Sequence, residues 1–310
     1  MAIPDHEAPP SAWRRMLGGL RSQERHTPTC PVTPRLDGRT AVVTGATGGI
    51  GLEIARGLAR RGAALILPCR NPENGARVAD ELRAAAPSEA RVDQVAMDLE
   101  DLESVRSGAA AIAAVLAGRP VDLLVENAGV WPRELARTRQ GHEIAFGVNV
   151  LAHFALRRDL ERRGLLPAAR VVVVTGDIYV LESDCTPDFA YRGAFGGMRA
   201  YCRSKLGNLW IASELSRRAS ALEVRVVHPG AVATGLGGSG SAIERAVKRR
   251  FFLSAERGAQ MPLVCATQPD MESGGYWHNV HGRMRLATRD AARDVVAAAR
   301  LWDLCERLSA

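Results

Sequence analysis

The sequence predicts a single α/β domain built on a doubly wound parallel sheet. Three observations carry this. Short apolar runs alternate with longer helical patterns from residue 40 to residue 228, and a glycine-rich turn stands between the first run and the first helix. The chain has 310 residues, 46% hydrophobic and 24% charged, enough to bury a full core. Strands separated by helices of this length pair in parallel through right-handed crossovers, which places helices on both faces of the sheet.

Residues 1–36 are rich in proline, arginine and polar side chains and read as an N-terminal arm. Disorder competes there with docking on the body, on a partner subunit or on a membrane surface. Within the arm, Ser11-Ala-Trp-Arg-Arg-Met-Leu-Gly-Gly-Leu has the pattern of a short amphipathic helix. The domain proper spans 37–310. Strands at 40–44, 64–69 and 92–97 are each followed by a helix, at 50–61, 73–86 and 102–117. A strand at 121–126 leads into a long helix through 149. Four consecutive valines at 171–174 form a strand buried on both faces, which ends at residue 175 and feeds a helix at 198–218; a last strand covers 224–228. Length alone admits two domains, but no repeat and no second boundary interrupts the pattern. The glycine-rich stretch 235–241 reads as a loop carrying the chain into a C-terminal helical flap over 235–260.

The first strand ends in Thr44-Gly-Ala-Thr-Gly-Gly-Ile-Gly51. Gly45, Gly49 and Gly51 stand where a tight turn, close approach to a pyrophosphate, and close helix–strand packing exclude a side chain, with Thr47 and Ile50 in the same turn. Between a first strand and a first helix, this is a Rossmann-like dinucleotide site. The second strand ends in Pro68-Cys-Arg-Asn71, where an NAD-selective site carries an acidic residue. Arg70, beside Asn71, suits a 2′-phosphate instead, so NADP (NADPH) is the expected cofactor; the competing reading is one more surface arginine. Asp98, followed by Leu99, is placed either to accept from the adenine amine or to cap the next helix.

Asn127-Ala128-Gly129 follows the fourth strand, and Tyr201-Cys-Arg-Ser-Lys205 opens a helix. Residues i and i+4 share a helical face, so phenol and ammonium can act together. A phenol titrating near about 10 is a poor acid–base group at neutral pH, and a neighbouring ammonium and a nicotinamide cation would lower it.

Composition excludes several classes. The formal net charge is +7, but the arginines are spread over many helices with no basic run or aromatic interleaving, so no nucleic-acid partner is expected. That field suits an anionic cofactor or substrate. Of 41 basic residues only Lys205 and Lys248 are lysine, which hints that arginine does not serve at those positions. The six cysteines lie far apart, without a disulfide framework or zinc spacing, and read as reduced buried thiols. No apolar run is long enough for stable membrane insertion, and residues 1–11 lack the core of a secretory signal, so the expected location is the cytosol. His278-x-x-His281 has no third ligand at a metal spacing and reads as a loop pair of solvated imidazoles; no metal is expected. A small-molecule substrate is the expected partner, and both a homo-oligomer and a monomer stay open.

The ordered set Thr44-Gly-x-x-x-Gly-Ile-Gly51, Asn127-Ala-Gly129, Tyr201-x-x-x-Lys205 and Pro229-Gly230 resembles a short-chain dehydrogenase/reductase. Closer similarity to the retinol-dehydrogenase-like branch rests on Tyr201-Cys-Arg-Ser-Lys-Leu-Gly-Asn208, His228-Pro-Gly-Ala-Val-Ala-Thr234, and a tail containing Glu256-Arg-Gly-Ala-Gln, Gly274-Gly-Tyr276 and Arg300-Leu-Trp302. The resemblance covers about residues 36–310. It implies Tyr201 as proton donor or acceptor, Lys205 as its electrostatic partner, and Asn149, in Phe146-Gly-Val-Asn-Val, as anchor of a proton-relay water. It also implies that Pro229, Gly230, Val232 and Thr234 frame the nicotinamide.

In that family the strand matching 171–175 ends in Ser-Ser, and the second serine bonds the substrate oxygen. Here Thr175 takes the first place and Gly176 the second, so the resemblance implies a site without its serine. Removing one such donor costs about 10²–10³ in rate. Thr175, Asp177 or Tyr179 is within reach by sequence, and Asp177 could also take over proton transfer if burial raises its pKa. Alternatives are a self-activated substrate such as an enone, a dehydratase or cyclase on the same fold, or a redox-silent NADP(H) sensor or scaffold. The family's usual asparagine at 126 is Glu126. The expected activity is NADP-dependent hydride transfer on a carbonyl or alcohol of a lipophilic molecule, in a pocket walled by 179–197 and 235–260. The aromatic-rich stretch 189–197 is read either as substrate contacts or as a packed loop.

Overall fold

The structure is a computed structural model and describes residues 5–7, 12–87, 90–191, 193, 195–233 and 252–310. Among these, nine strands form one sheet in the order β1-β9-β8-β7-β6-β5-β2-β3-β4: β1 (Asp5–Glu7), β2 (Thr40–Val43), β3 (Ala64–Cys69), β4 (Val92–Ala96), β5 (Leu123–Glu126), β6 (Arg170–Val174), β7 (Glu223–His228), β8 (Gly275–His278) and β9 (Gly282–Arg285). Every pairing is parallel except the β8–β9 hairpin. The single doubly wound α/β domain expected from the alternation is therefore present. The hairpin was not foreseen, because two four-residue strands around a short turn lack a long alternating signature.

The buried strands divide their side chains between two cores. Val171 and Val173 of β6 join Val42 of β2 on one face, with Phe154, Leu206 and Trp302. Val172 and Val174 join Ala41 and Val43 on the other, with Ile54, Leu58 and Leu263. Alternation across the pleat thus explains why the valine run carries no polar residue. The helices are α1 (Ala12–His26), at the cavity mouth, and α2 (Gly49–Ala59), α3 (Pro72–Ala85), α4 (Leu102–Leu116), α5 (Ile144–Phe146), α6 (Ala152–Arg162), α7 (Gly196–Arg218), α8 (Ala255–Gly258), α9 (Gln260–Thr267) and α10 (Val295–Leu308). Local chemistry sets several starts: Asn71 accepts from Asn74 N at 3.0 Å ahead of Pro72, and Asp101 accepts from Glu103 N at 3.1 Å.

The helix expected to end near residue 149 does not end there. It passes through a π turn, Gly147–Leu151, and continues as α6 to Arg162. Such a turn is an inserted residue in the ladder and commonly marks a functional position. At the topological switch, β2 lies between β3 and β5, so the crevice for a ligand opens above the carboxyl end of β2.

Candidate active site

The crevice continues into one cavity of about 980 Å³, lined at one end by Gly45, Thr47, Gly49, Ile50 and Gly51, and at the other by Tyr201, Lys205, Thr175, Gly176 and Asp177. Arg70, Asn71, Asp98, Leu99, Asn127, Ala128, Gly129, Pro229, Gly230 and Val232 line it as well. Asn149 stands behind the wall, buried, and Thr234 lies outside the described residues, as do residues 235–251 of the expected flap.

The glycine loop is shaped for close approach. Gly45 has φ +67°, and a Cβ on Gly51 would lie 2.2 Å from the Gly45 carbonyl oxygen and 2.4 Å from Asn127 Nδ2. No other residue fits at 51. Thr44 ties this loop to the next strand end: its Oγ1 accepts from the backbone N–H groups of Asn127 and Ala128, both at 3.0 Å, and lies 2.9 Å from His153 Nε2. His153 Nδ1 faces the Asn149 carbonyl at 3.3 Å, so Nδ1 carries the proton and Nε2 accepts from Thr44. Burial pushes this imidazole down to about 4, which keeps it neutral.

Asn149 sits in the π turn with its side chain fully engaged. Oδ1 accepts from Val130 N at 2.7 Å, and Nδ2 donates to Val130 O at 3.0 Å and to Ser204 Oγ at 2.8 Å. It therefore clamps the strand-end loop to α7, the helix that carries Tyr201 and Lys205.

Lys205 Nζ donates to Val174 O at 3.2 Å and lies 5.3 Å from the centre of the Tyr201 ring. Desolvation brings Lys205 down to about 8. The Tyr201 phenol is pushed up instead, by burial first and by the neighbouring Cys202 second. The expectation that the ammonium lowers the phenol is reversed in the protein alone, because loss of hydration of the phenolate outweighs the charge nearby.

The three residues weighed as replacements for the serine hydroxyl that the resemblance implies are engaged elsewhere. Thr175 Oγ1 donates to Lys205 O at 2.8 Å, Asp177 Oδ1 accepts from Tyr276 at 3.0 Å, and Tyr179 donates to both Asp290 carboxylate oxygens at 3.1 and 3.0 Å. Gly176 itself is open: a Cβ there would have Ile178 Cγ2 at 3.6 Å, Lys205 Cγ at 3.7 Å and Tyr201 Oη at 4.0 Å.

Two expectations about the walls are corrected. Of the 179–197 segment, none of the described residues lines the cavity. Tyr191 donates to Glu143 at 2.5 Å and Phe189 lies under Arg203, so this stretch is a packed loop. His278 is not solvated either; it is 1% exposed, forms part of the cavity wall, and accepts at Nδ1 from Val280 N and His281 N. Its ring lies 4.7 Å from His228 and 4.6 Å from His281.

At the adenosine end Arg70 donates to Glu100 at 2.7 Å, and Asn71 serves as the cap of α3. Glu126 is paired with Arg157 at 2.7 Å, both buried, behind the Asn127-Ala128-Gly129 turn; burial raises Glu126 against the lowering by Arg157. Sequence reasoning also missed Trp131, whose ring stacks on Tyr201 with centroids 4.9 Å apart at 3°. Its place two residues beyond Gly129 at a strand end was the available signal.

The short chain dehydrogenase pattern matches residues 39–242 of this chain. The chain belongs to the short-chain dehydrogenase family. Within it the relatives fall in the retinol-dehydrogenase-like branch: retinol dehydrogenase 12 of Mus musculus is 34% identical over 287 residues, covering 90% of this chain and 89% of that protein. Dehydrogenase/reductase SDR family member 13 of Bos taurus is 37% identical over 295 residues, covering 91% and 76%. A crystal structure of an uncharacterised protein from Mycobacterium paratuberculosis aligns with TM-score 0.69 at 32% identity, over 91% of this chain and 98% of that one. A Burkholderia cenocepacia short chain dehydrogenase in complex with NADP shares the fold, with TM-score 0.64 at 24% identity over 80% of this chain and 99% of that one. Short-chain dehydrogenases bind nicotinamide cofactors and act on small molecules, and this chain is an oxidoreductase of that family. Among its described residues no helix is long and apolar enough to cross a membrane.

Proposed function

We propose that this short-chain dehydrogenase transfers hydride between NADP(H) and a carbonyl or alcohol carbon of a lipophilic small molecule. The observation that supports this best is the continuity of one cavity from the glycine loop, where Gly51 leaves no room for a side chain, to the half-buried Tyr201 and the buried Lys205. The glycine cradle, the Asn127–Gly129 turn and the Pro229–Gly230 turn fit a dinucleotide, which when bound supplies or accepts the hydride. Gly45 to Gly51 would hold the pyrophosphate, and Arg70 the 2′-phosphate. The Arg70–Glu100 pair is exposed, 67% and 39%, and such pairs are worth about 0–1 kcal/mol, so a phosphate dianion can displace Glu100.

In reduction, the substrate oxygen takes the Tyr201 proton as its carbon takes the hydride, so C=O becomes C–OH and a phenolate remains. Lys205 balances that phenolate; at about 8, it is mostly charged at neutral pH. Asn149 orders the loop behind this pair and, in this reading, anchors the relay that returns the proton. Leu20, Trp131, Ile178 and Phe252 make an apolar wall, which suits a lipophilic substrate. The chain operates in the cytosol in this reading.

Gly176 supplies no hydroxyl to the substrate oxygen, which favours carbonyls that are already activated. The same feature favours a second reading, a redox-silent NADP(H) protein. Purified protein with NADPH and a panel of enones and plain ketones separates them. The proposal expects NADPH oxidation with some member of the panel and its loss in Tyr201→Phe. Binding of NADPH without oxidation by any member, unchanged in Tyr201→Phe, supports the silent reading.

A further inference from the structure

We propose that the N-terminal helix α1 is a wall of the active site, and that Gln23 is a positioning residue for the Pro229–Ala231 turn. This rests on the reading above, in which that turn frames the nicotinamide. Gly19, Leu20 and Gln23 line the cavity, although they lie well before the first strand of the dinucleotide fold. Gln23 is 2% exposed and turns its carboxamide onto one backbone unit: Oε1 accepts from Ala231 N at 2.9 Å, and Nε2 donates to Ala231 O at 3.2 Å. Gly230, at φ +98°, leaves the space, since a Cβ there would lie 2.9 Å from Gln23 Oε1. The helix end is fastened to the same region twice more. Asn279 donates to Thr27 Oγ1 at 2.9 Å, and Arg257 donates to the carbonyls of Glu24 and Thr27 at 3.0 Å. Further up the helix, Gly19 lies against His278, with room for only a strained Cβ at 3.2 Å from the ring.

These contacts reach the substrate end of the cleft and the turn beside it, and none of them touches the glycine loop or the Arg70 end. Loss of Gln23 therefore loosens one end of the cofactor site and leaves the other intact, an asymmetry that a general packing defect does not produce. Two probes read the two ends: NADPH, which spans the cleft, and 2′,5′-ADP, which fills only its adenosine end. In Gln23→Ala the affinity for NADPH falls about tenfold, as two neutral hydrogen bonds are lost, while that for 2′,5′-ADP is unchanged. Gln23→Glu keeps the shape and the acceptor for Ala231 N but sets a carboxylate against Ala231 O, so it shows the same split, and it decides the matter if the alanine variant does not fold. Equal weakening of both probes, or no change in either, overturns the proposal. Wild-type protein that binds 2′,5′-ADP but gains nothing from the nicotinamide half overturns the underlying cofactor reading instead.

Discussion

Gly176→Ser introduces the hydroxyl that the family resemblance implies at this place, and the geometry around Gly176 sets what it should do. Gly176 has φ −149° and ψ 139°, extended backbone open to any residue, and the nearest atoms to a new Cβ are at 3.6, 3.7 and 4.0 Å. The substitution thus introduces neither strain nor overlap, and removing a glycine's freedom in the unfolded chain adds about 0.4–1 kcal/mol of stability. The third of those distances is to Tyr201 Oη, so a serine oxygen one bond further out can reach an oxygen that Tyr201 also touches. One preorganised donor at that place is worth about 10²–10³ in turnover, or about 3–4 kcal/mol. NADPH consumption by a plain, unactivated ketone should rise by about 10²-fold, with a smaller gain for an enone that needs less help. Unchanged turnover in a variant at least as stable as the parent refutes the reasoning and turns attention to Asp177.

Three further outcomes follow from the same geometry. Glu126→Gln leaves the Arg157 guanidinium charged and buried without its carboxylate, so urea denaturation should show a loss of about 3–5 kcal/mol, while replacing both partners by apolar residues recovers most of it. Lys205 sits at about 8 in the folded chain against 10.5 ordinarily, so burying its charge opposes folding below pH 8 and that cost disappears as pH rises from 8 to 10.5. Lys205→Met should gain about 3 kcal/mol at neutral pH, flatten that rise in thermal melts, and abolish turnover. Arg70→Ala should weaken NADPH about 10–100-fold while changing NADH little, as titration calorimetry can show; equal loss for both cofactors contradicts the assignment of Arg70 to the 2′-phosphate.

Much of the fold was legible because it rests on local periodicity. The valines at 171–174 and the glycines at 45, 49 and 51 each answer to one constraint, burial on two faces or space beside a backbone, and both leave a direct mark on residue choice. The site was legible where strand ends place it: Asn127–Gly129, Thr175 and Pro229–Gly230 all cap the sheet on one edge. What was missed depends on contacts between distant segments. Gln23 and Ala231 are 208 positions apart, and Tyr276 and Asp177 are 99 apart. No spacing rule links them. His278 was misread as solvated because a short histidine pair in a loop looks the same whether or not a hairpin carries it into the cavity. The direction of the Tyr201 shift in the protein alone was hidden for a different reason: sequence shows the charged neighbour but not the depth of burial, and without a nicotinamide cation burial dominates.

The central claim is that Tyr201 and a bound nicotinamide act on one substrate carbon and its oxygen. NADPH deuterated at its transferable position, incubated with the best ketone or enone of the panel, tests this in a single mass measurement. The account predicts one deuterium on the reduced carbon with wild-type protein, and no labelled product with Tyr201→Phe although that variant still binds NADPH. Product formed without deuterium, or label transferred equally well by Tyr201→Phe, contradicts it.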